Sequence, residues 1–574
     1  MIINKLHVAA GLTALALISN PGRAAESVRP PIESGQAIRE LQKQPNFDPI
    51  KSIAPLQSPD APIPAPLKTE DLRFDVTDIR ITGNRSFPTS DLKEIIDSLI
   101  GGKHSFRELQ AGADQITAWY RERGFIVARA YLPEQDIIEG VVNIRVMEGQ
   151  IGKYTLNNQS RISDDLVKGF LLDIRPDTPL RIFPLNRSLL LLNETPGVGL
   201  ARASLQPGKS VGTSDIAFEL TPGDAYYGNF DLDNHGNYYS GQYRAGGTLS
   251  FNSPFEMGEQ FSLRALLSNE SMLFARLGYQ MPLGGEGLKM GGTYSYTQYK
   301  LGGDYAKFMA HGSANNLSLY TSYPFIRSQT SNLTASLTWE GKWLDDLSDL
   351  PTEPSYVNTA NDIAKNFYSQ KNIQLINVGA TGNERDSLFS GGLNSFDAAL
   401  AIGSLSMDIA TANNFTALQN GTFIKLNYSV NRLQRLSDAS MLFAALSGQW
   451  GNTNLNSSEK FSLGGANGVR AYPQGEGSGD SGWMMTLEAR QNIFEMMTAL
   501  VFFDMGTVTL IKTPVAAGSN TRDISGLGLG LNAEYWGVQL KSSIAWSTSG
   551  GSALSEPASG NNTPRIWLQL SGQF

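Results

Sequence analysis

In the C-terminal stretch RIWLQLSGQF, Ile566, Leu568, Leu570 and Phe574 fall on one face of an extended chain. Trp567, Gln569, Ser571 and Gln573 fall on the other. The segment before it repeats the pattern, with Val538, Leu540, Ile544 and Trp546 opposed to Gln539, Lys541, Ser543 and Ala545. Such a segment buries one side only. From Asp224 to Phe574 sixteen candidates of this kind can be marked, near residues 226–232, 241–252, 258–268, 272–281, 287–299, 311–323, 330–343, 370–382, 392–406, 421–433, 438–451, 482–491, 498–510, 524–533, 536–547 and 564–574. An even number of alternating segments of about 10 residues is the pattern of an outer-membrane barrel. After the first two dozen residues no apolar run reaches the roughly 20 residues a helix needs to span a bilayer. A membrane fold for this chain is therefore a closed barrel, since lipid leaves no other way to satisfy the backbone. The alternative for the same alternation is an array of water-soluble β-sandwiches.

The N-terminus supports export. Lys5, the apolar run Val8–Ile18 and the small-residue cleavage site Gly22-Arg23-Ala24 make residues 1–24 a signal peptide, with cleavage before Ala25. The 58 glycines and 17% charged residues suit strands and turns better than helical bundles. With no cysteine, neither a disulfide framework nor a thiolate metal site is available. A net charge of −8 argues against a nucleic-acid footprint.

Between leader and barrel the texture changes three times. Residues 25–44 contain ESGQAIRELQKQ, with Ile38 and Leu41 among good helix formers. So short a helix is marginal unless it docks somewhere. Residues 45–73 carry Pro45, Pro49, Pro55, Pro59, Pro62, Pro64 and Pro66, an extended linker on which that helix can travel; a disordered leader is the other reading. Residues 74–149 run β-α-α-β-β: Val76, Ile79 and Ile81 alternate as a strand and Thr89–Ile100 has helical spacing. Ser105 with Glu108 forms a capping box for a helix to Arg123, and strands follow at Ile126–Leu132 and Val141–Val146. Residues 150–223 repeat the order more weakly, with helices at Asp164–Leu171 and Leu185–Leu192. Sheets this small leave open edges on which another chain can add as a strand.

If these modules are periplasmic, the first barrel strand runs outward and the connections after odd strands are extracellular. The two longest gaps, 344–369 and 452–481, then follow strands seven and eleven. The sixth outward loop holds GGANGVRAYPQGEGSGD, whose cation Arg470 sits between Val469 and Ala471-Tyr472. Its glycines permit dihedrals that suit a segment folding back on itself. In strand thirteen, LVFFDMGTV, Asp504 shares a face with Phe502 and Gly506. A carboxylate in so apolar a strand needs a polar lumen and a partner. Arg470 can supply a bidentate contact; the other reading is a solvated loop cation and one more lumenal acid.

Two motifs are set aside. DLDNHG, Asp231–Gly236, has a calcium-loop spacing, but Gln242 stands where the bidentate glutamate belongs, so a hairpin is expected. GLGLGLN, Gly526–Asn532, has no βαβ context for a nucleotide fold and reads as a barrel strand. After the leader there are three histidines, His104, His235 and His311, none beside an evident nucleophile, and there is no Gly-x-Ser-x-Gly elbow. No catalytic residue, metal ligand or cofactor is assigned.

The residues also resemble a family. VARAYLPEQDIIEGVVNIRVMEGQI is similar to the end of the first POTRA module of two-partner secretion transporters, the TpsB family of haemolysin, filamentous-haemagglutinin and contact-dependent-inhibition exporters. GQAIRELQKQ resembles their plug helix, FDLDNHGNYYSGQYRAGGTLSFNSP their first barrel hairpin, GVRAYP their sixth-loop motif and FFDMG their strand-thirteen motif. The resemblance spans nearly the whole chain after the leader. It implies a sixteen-stranded antiparallel outer-membrane β-barrel preceded by two periplasmic α+β POTRA domains. It also implies a plug helix bearing Ile38 and Leu41, and a loop-six contact between Arg470 and Asp504. Ala471 stands where the family usually has glycine, so a positive φ there would be strained. The implied function is recognition of an unfolded exoprotein by the POTRA domains and its passage through the barrel to the cell surface. The implied partners are a large secreted exoprotein (haemolysin, adhesin or toxin), outer-membrane lipid, and the barrel-assembly machinery that reads Phe574, with no nucleic acid. The rivals are an outer-membrane insertase of the same superfamily, which usually has a longer string of POTRA modules, and an outer-membrane porin or enzyme.

Overall fold

The computed structural model describes residues 34–42, 73–303, 306, 309–348, 367–407, 419–514, 518–557 and 563–574. The signal peptide read at 1–24 lies outside the described residues, as does the proline-rich segment apart from Arg73.

Alternation of apolar and polar side chains lets a strand face lipid with one side and water with the other, provided no edge is left open. Sixteen antiparallel strands, from Tyr226–Asp233 to Arg565–Gln573, meet that condition by closing into a barrel. The last strand pairs with the first from Gln569↔Asp233 to Gln573↔Asn229. In strand sixteen Ile566 and Leu568 are exposed on the outer face, whereas Trp567 is buried on the lumenal one. The strands before and after the gap read at 344–369 are longer than the sequence suggests, Ser331–Ser348 and Phe367–Asp386. Their ladder continues as far as Ser348↔Phe367. There the strands carry Asp345, Asp346, Ser369 and Gln370, so the apolar face that marks a lipid-contacting strand has already ended.

The first N-terminal module packs helices Thr89–Ile95 and Phe106–Glu122 on a three-stranded sheet. In that sheet Asp78–Thr82 pairs parallel to Val141–Met147, which pairs antiparallel to Arg129–Tyr131. The Ser105/Glu108 capping box forms. The helix read as continuous from Thr89 to Ile100 instead stops at Ile95, and Asp97–Leu99 is a 3-10 turn. Fully buried Ile96 leaves helical geometry at φ −116°. Leu99 then reaches Gly112, where an added Cβ would sit 2.4 Å from its Cδ1. Arg73–Asp75 pairs with Lys103–Ser105, a second small sheet that the sequence does not announce.

The second module orders its sheet Gln150–Asn158, Thr213–Pro222, Val198–Pro207. It sits under helices Asp164–Phe170 and Ile182–Asn193. The latter begins three residues before the expected Leu185 because Pro184 is tolerated in a first helical turn. This module docks on the barrel's periplasmic turns. Ser163 N donates to Glu256 O at 2.9 Å, and Arg187 Nη2 donates to Glu286 O at 3.0 Å and Pro324 O at 2.8 Å.

Candidate functional site in the barrel lumen

The sixth outward loop does not stand in solvent. Leu463 N and Gly464 N donate to Glu476 O, at 3.2 and 2.9 Å, so the two limbs pair. Val469 N donates back to Leu463 O at 2.8 Å and Tyr472 N to Val469 O at 3.0 Å, closing a tight apex. Gly465 and Gly477 take φ of 125° and 62°, which only glycine adopts freely. Val469 and Tyr472 are buried in a cluster with Leu463, Val508 and Ile524. The Tyr472 hydroxyl donates to Ser549 O at 2.6 Å.

This folding delivers Arg470 to the barrel wall. Its Nε and Nη2 donate to the two Asp504 carboxylate oxygens, each at 2.9 Å, and its backbone N donates to Oδ2 at 3.1 Å. Nη1 lies 2.8 Å from Glu488 Oε1. The guanidinium carbon stands 3.3 Å from the centre of the Phe502 ring. Thr486 Oγ1 donates to Asp504 at 3.0 Å. The Arg470 carbonyl accepts a 2.7 Å bond from Trp567 Nε1. Asp504 is 1% exposed, so water does not supply its partners. Burial alone would lower the pKa of Arg470; the Asp504 hydrogen bonds and the Asp504 and Glu488 charges outweigh it and raise it. Removing Arg470 leaves the buried Asp504 carboxylate without a cation, and breaking a pair so buried costs about 3–5 kcal/mol.

Ala471 is not in the left-handed region, so the strain anticipated for it does not arise. Its methyl instead faces Gly526 of strand fourteen, where an added Cβ would approach it to 2.4 Å. The glycine needed at this contact is on the wall.

The base of the loop is held by buried ion pairs. Glu459 lies 2.6 Å from Lys342 Nζ and 2.7 Å from Lys425 Nζ. Burial would raise the Glu459 pKa, but the two ammonium groups hold it below the usual carboxylate range. Asp480 accepts from Leu455 N at 3.0 Å and Lys512 N at 2.7 Å.

The N-terminal helix Ser34–Gln42 lies in the lumen against the same loop. Arg39 Nη1 donates to Ser457 O at 2.9 Å, Lys460 O at 3.1 Å and Ser478 Oγ at 2.9 Å. Ser34 N donates to Asp346 Oδ1 at 2.8 Å, with Tyr299 Oη at 2.6 Å from the same oxygen. Ala37 and Leu41 pack against Tyr239, Leu266, Phe274 and Tyr299. The side chain of Ile38 lies outside the described residues. Beside the helix a cavity of about 1020 Å³ carries Arg264, Arg276 and Tyr279 on its wall.

Sequence reasoning therefore names Arg470, Asp504, Val469, Ala471, Tyr472 and Leu41, all of which meet in or beside this lumenal assembly. It misses Glu488, Phe502 as a stacking partner, Trp567, Arg39 and Asp346. Glu488 and Thr486 were available from register, since strand twelve pairs Thr486↔Asp504 and Glu488↔Phe502. Arg39 had no local signal.

A model of POTRA domains of the ShlB type matches residues 74–149. A model of the haemolysin secretion/activation protein ShlB/FhaC/HecB matches residues 212–350 and 355–533. The heme/hemopexin transporter protein HuxB of Haemophilus influenzae is 26% identical over 94% of this chain and 95% of its own length. Among solved structures, CdiB from Escherichia coli superposes with a TM-score of 0.69 at 18% identity, over 94% of this chain and 96% of that one. BamA from Haemophilus ducreyi lacking POTRA domains 1–3 gives 0.51 at 14% identity, over 87% and 100%.

Proposed function

The chain belongs to the haemolysin secretion/activation protein ShlB/FhaC/HecB family and is an outer-membrane transporter of two-partner secretion exoproteins, and from that premise we propose how its parts act. The POTRA modules, 74–149 and 150–223, take the exoprotein unfolded from the periplasm, its chain adding to their open sheet edges. The helix Ser34–Gln42 is the plug: it occupies the lumen and must leave before a polypeptide threads through. The Arg470–Asp504 pair is the loop-six lock, holding the apex on strands twelve and thirteen while the plug and the cargo exchange. Folding outside the cell gives the passage its direction. Lipid contacts the outer face of the barrel, and the barrel-assembly machinery inserts it.

The observation that carries this reading is the meeting of the plug and the lock on one loop. Arg39 holds the base of loop six at Ser457 and Lys460, and Arg470 holds its apex on Asp504. A passive porin has no use for a lumenal helix bound in this way. The test is export of a large two-partner secretion exoprotein co-expressed with this chain, followed in the medium with and without the transporter. Export should require it, and should be lost when 74–223 is deleted from a barrel that still inserts. Export that persists without the chain overturns the proposal.

A further inference from the structure

The barrel closes on a short seam. Strands one and sixteen pair over five residues, and the ladder stops outward at Gln569↔Asp233. Beyond it strand sixteen continues to Arg565 with no strand-one backbone opposite. Asn234 fills that place. Its backbone N donates to Leu568 O at 3.2 Å. Its Nδ2 donates to Ile566 O at 2.9 Å, and its Oδ1 accepts from Leu568 N at 2.8 Å. The side-chain amide thus substitutes for a peptide group that the ladder lacks.

The next residues reach inward. His235 sets its ring edge-on to Trp567, 5.6 Å between centres at 79°, and its backbone N donates to Asp233 Oδ1 at 2.9 Å. Trp567 is 4% exposed, and its Nε1 donates to the Arg470 carbonyl. Asn237, also buried, donates from Nδ2 to Gln474 O of loop six at 3.0 Å. The turn from Asn234 to Asn237 therefore bridges the outward end of the seam and loop six.

We propose that Asn234 and His235 are positioning residues of the loop-six lock: by closing the outward end of the seam they fix Trp567, whose N–H holds the Arg470 carbonyl, so that seam and apex open together. This rests on the reading of Arg470–Asp504 as the lock. It is distinct from the Arg470–Asp504 contact itself, because it acts on the other side of the Arg470 backbone.

Trypsin reads the apex directly, since the Arg470–Ala471 bond can be cut only when the arginine leaves its buried site. The full-length protein in detergent is digested, with heat-modifiable mobility confirming the closed barrel, and the new N-terminus at Ala471 is followed by mass spectrometry. Trp567→Phe keeps the ring and deletes the N–H; it should speed this cut about five-fold, the value of one buried hydrogen bond. Asn234→Ala should do the same, and the double variant should match Trp567→Phe alone, because residues on one path are not additive. An unchanged cut rate in Trp567→Phe or Asn234→Ala overturns the proposal. So do effects that multiply in the double variant. If Asn234→Ala does not close its barrel, His235→Ala carries the same expectation and the same refutation. Should export survive Arg470→Ala while these cut rates still change, the lock reading fails and the positioning role stands.

Discussion

At the scale of single residues, the loop-six contact is defined by what is missing as much as by what is present. Gly526 has no Cβ, and Ala471 uses the space. Gly526→Ala should push the apex off the wall, since overpacking a tight contact costs about 1–3 kcal/mol. Export should fall with folded barrel unchanged, and Ala471→Gly in the same chain should restore most of it. Failure of the second substitution to rescue would show that Ala471 is not what Gly526 accommodates. His235 gives a pH-dependent test nearby. Its burial pushes the imidazole pKa down from 6.5 to about 4, against the attraction of Asp233. A folded-state pKa below the free value means stability is intact above pH 6.5 and declines as pH falls toward 4, where the released loop binds a proton that the docked one refuses. Hydrogen exchange of residues 234–243, corrected for intrinsic rates, should accelerate across that window in the parent and not in His235→Gln.

At the scale of elements, a nine-residue helix such as Ser34–Gln42 is too short to be stable in water on its own. Its existence depends on Arg39, on the Asp346 carboxylate at its N-terminus and on the Leu41 contacts. Arg39→Ala should therefore raise single-channel conductance in planar bilayers and lengthen the open events, with Asp346→Ala adding to it. Unaltered conductance in both would mean that the helix does not plug the pore. This docking also explains why the helix was only half legible. Ile38 and Leu41 mark an amphipathic helix, but nothing in twenty residues of local sequence says that Arg39 will reach carbonyls more than four hundred residues away. The same logic covers Glu488 and Trp567. Their lumenal parity was readable from strand alternation, whereas their convergence on Arg470 required the loop's three-dimensional path. Where the reading failed locally, tertiary packing overrode propensity: the helix from Thr89 ends at Ile95 because Ile96 and Leu99 are drawn into the module's core.

At the scale of the molecule, the sixteen strands were legible because lipid enforces the alternation along each of them, from Tyr226–Asp233 to Arg565–Gln573. Their outward ends were not, because strands seven and eight rise beyond the lipid, where Asp345 and Gln370 face each other and no apolar period remains. Counting odd and even connections placed Arg470 in the sixth outward loop, and register in strand thirteen made Asp504 a candidate partner. The proposed role of this pair is to hold loop six in the state that transports. It is tested most directly by the amount of exoprotein released into the medium by cells carrying Arg470→Ala or Asp504→Ala, at matched levels of inserted barrel. Arg470→Ala leaves the buried Asp504 without a cation and Asp504→Ala leaves Arg470 only Glu488; breaking a buried pair costs about 3–5 kcal/mol, so release should fall at least tenfold in each variant. Release at the parent level in both, with the barrel folded, would contradict the account.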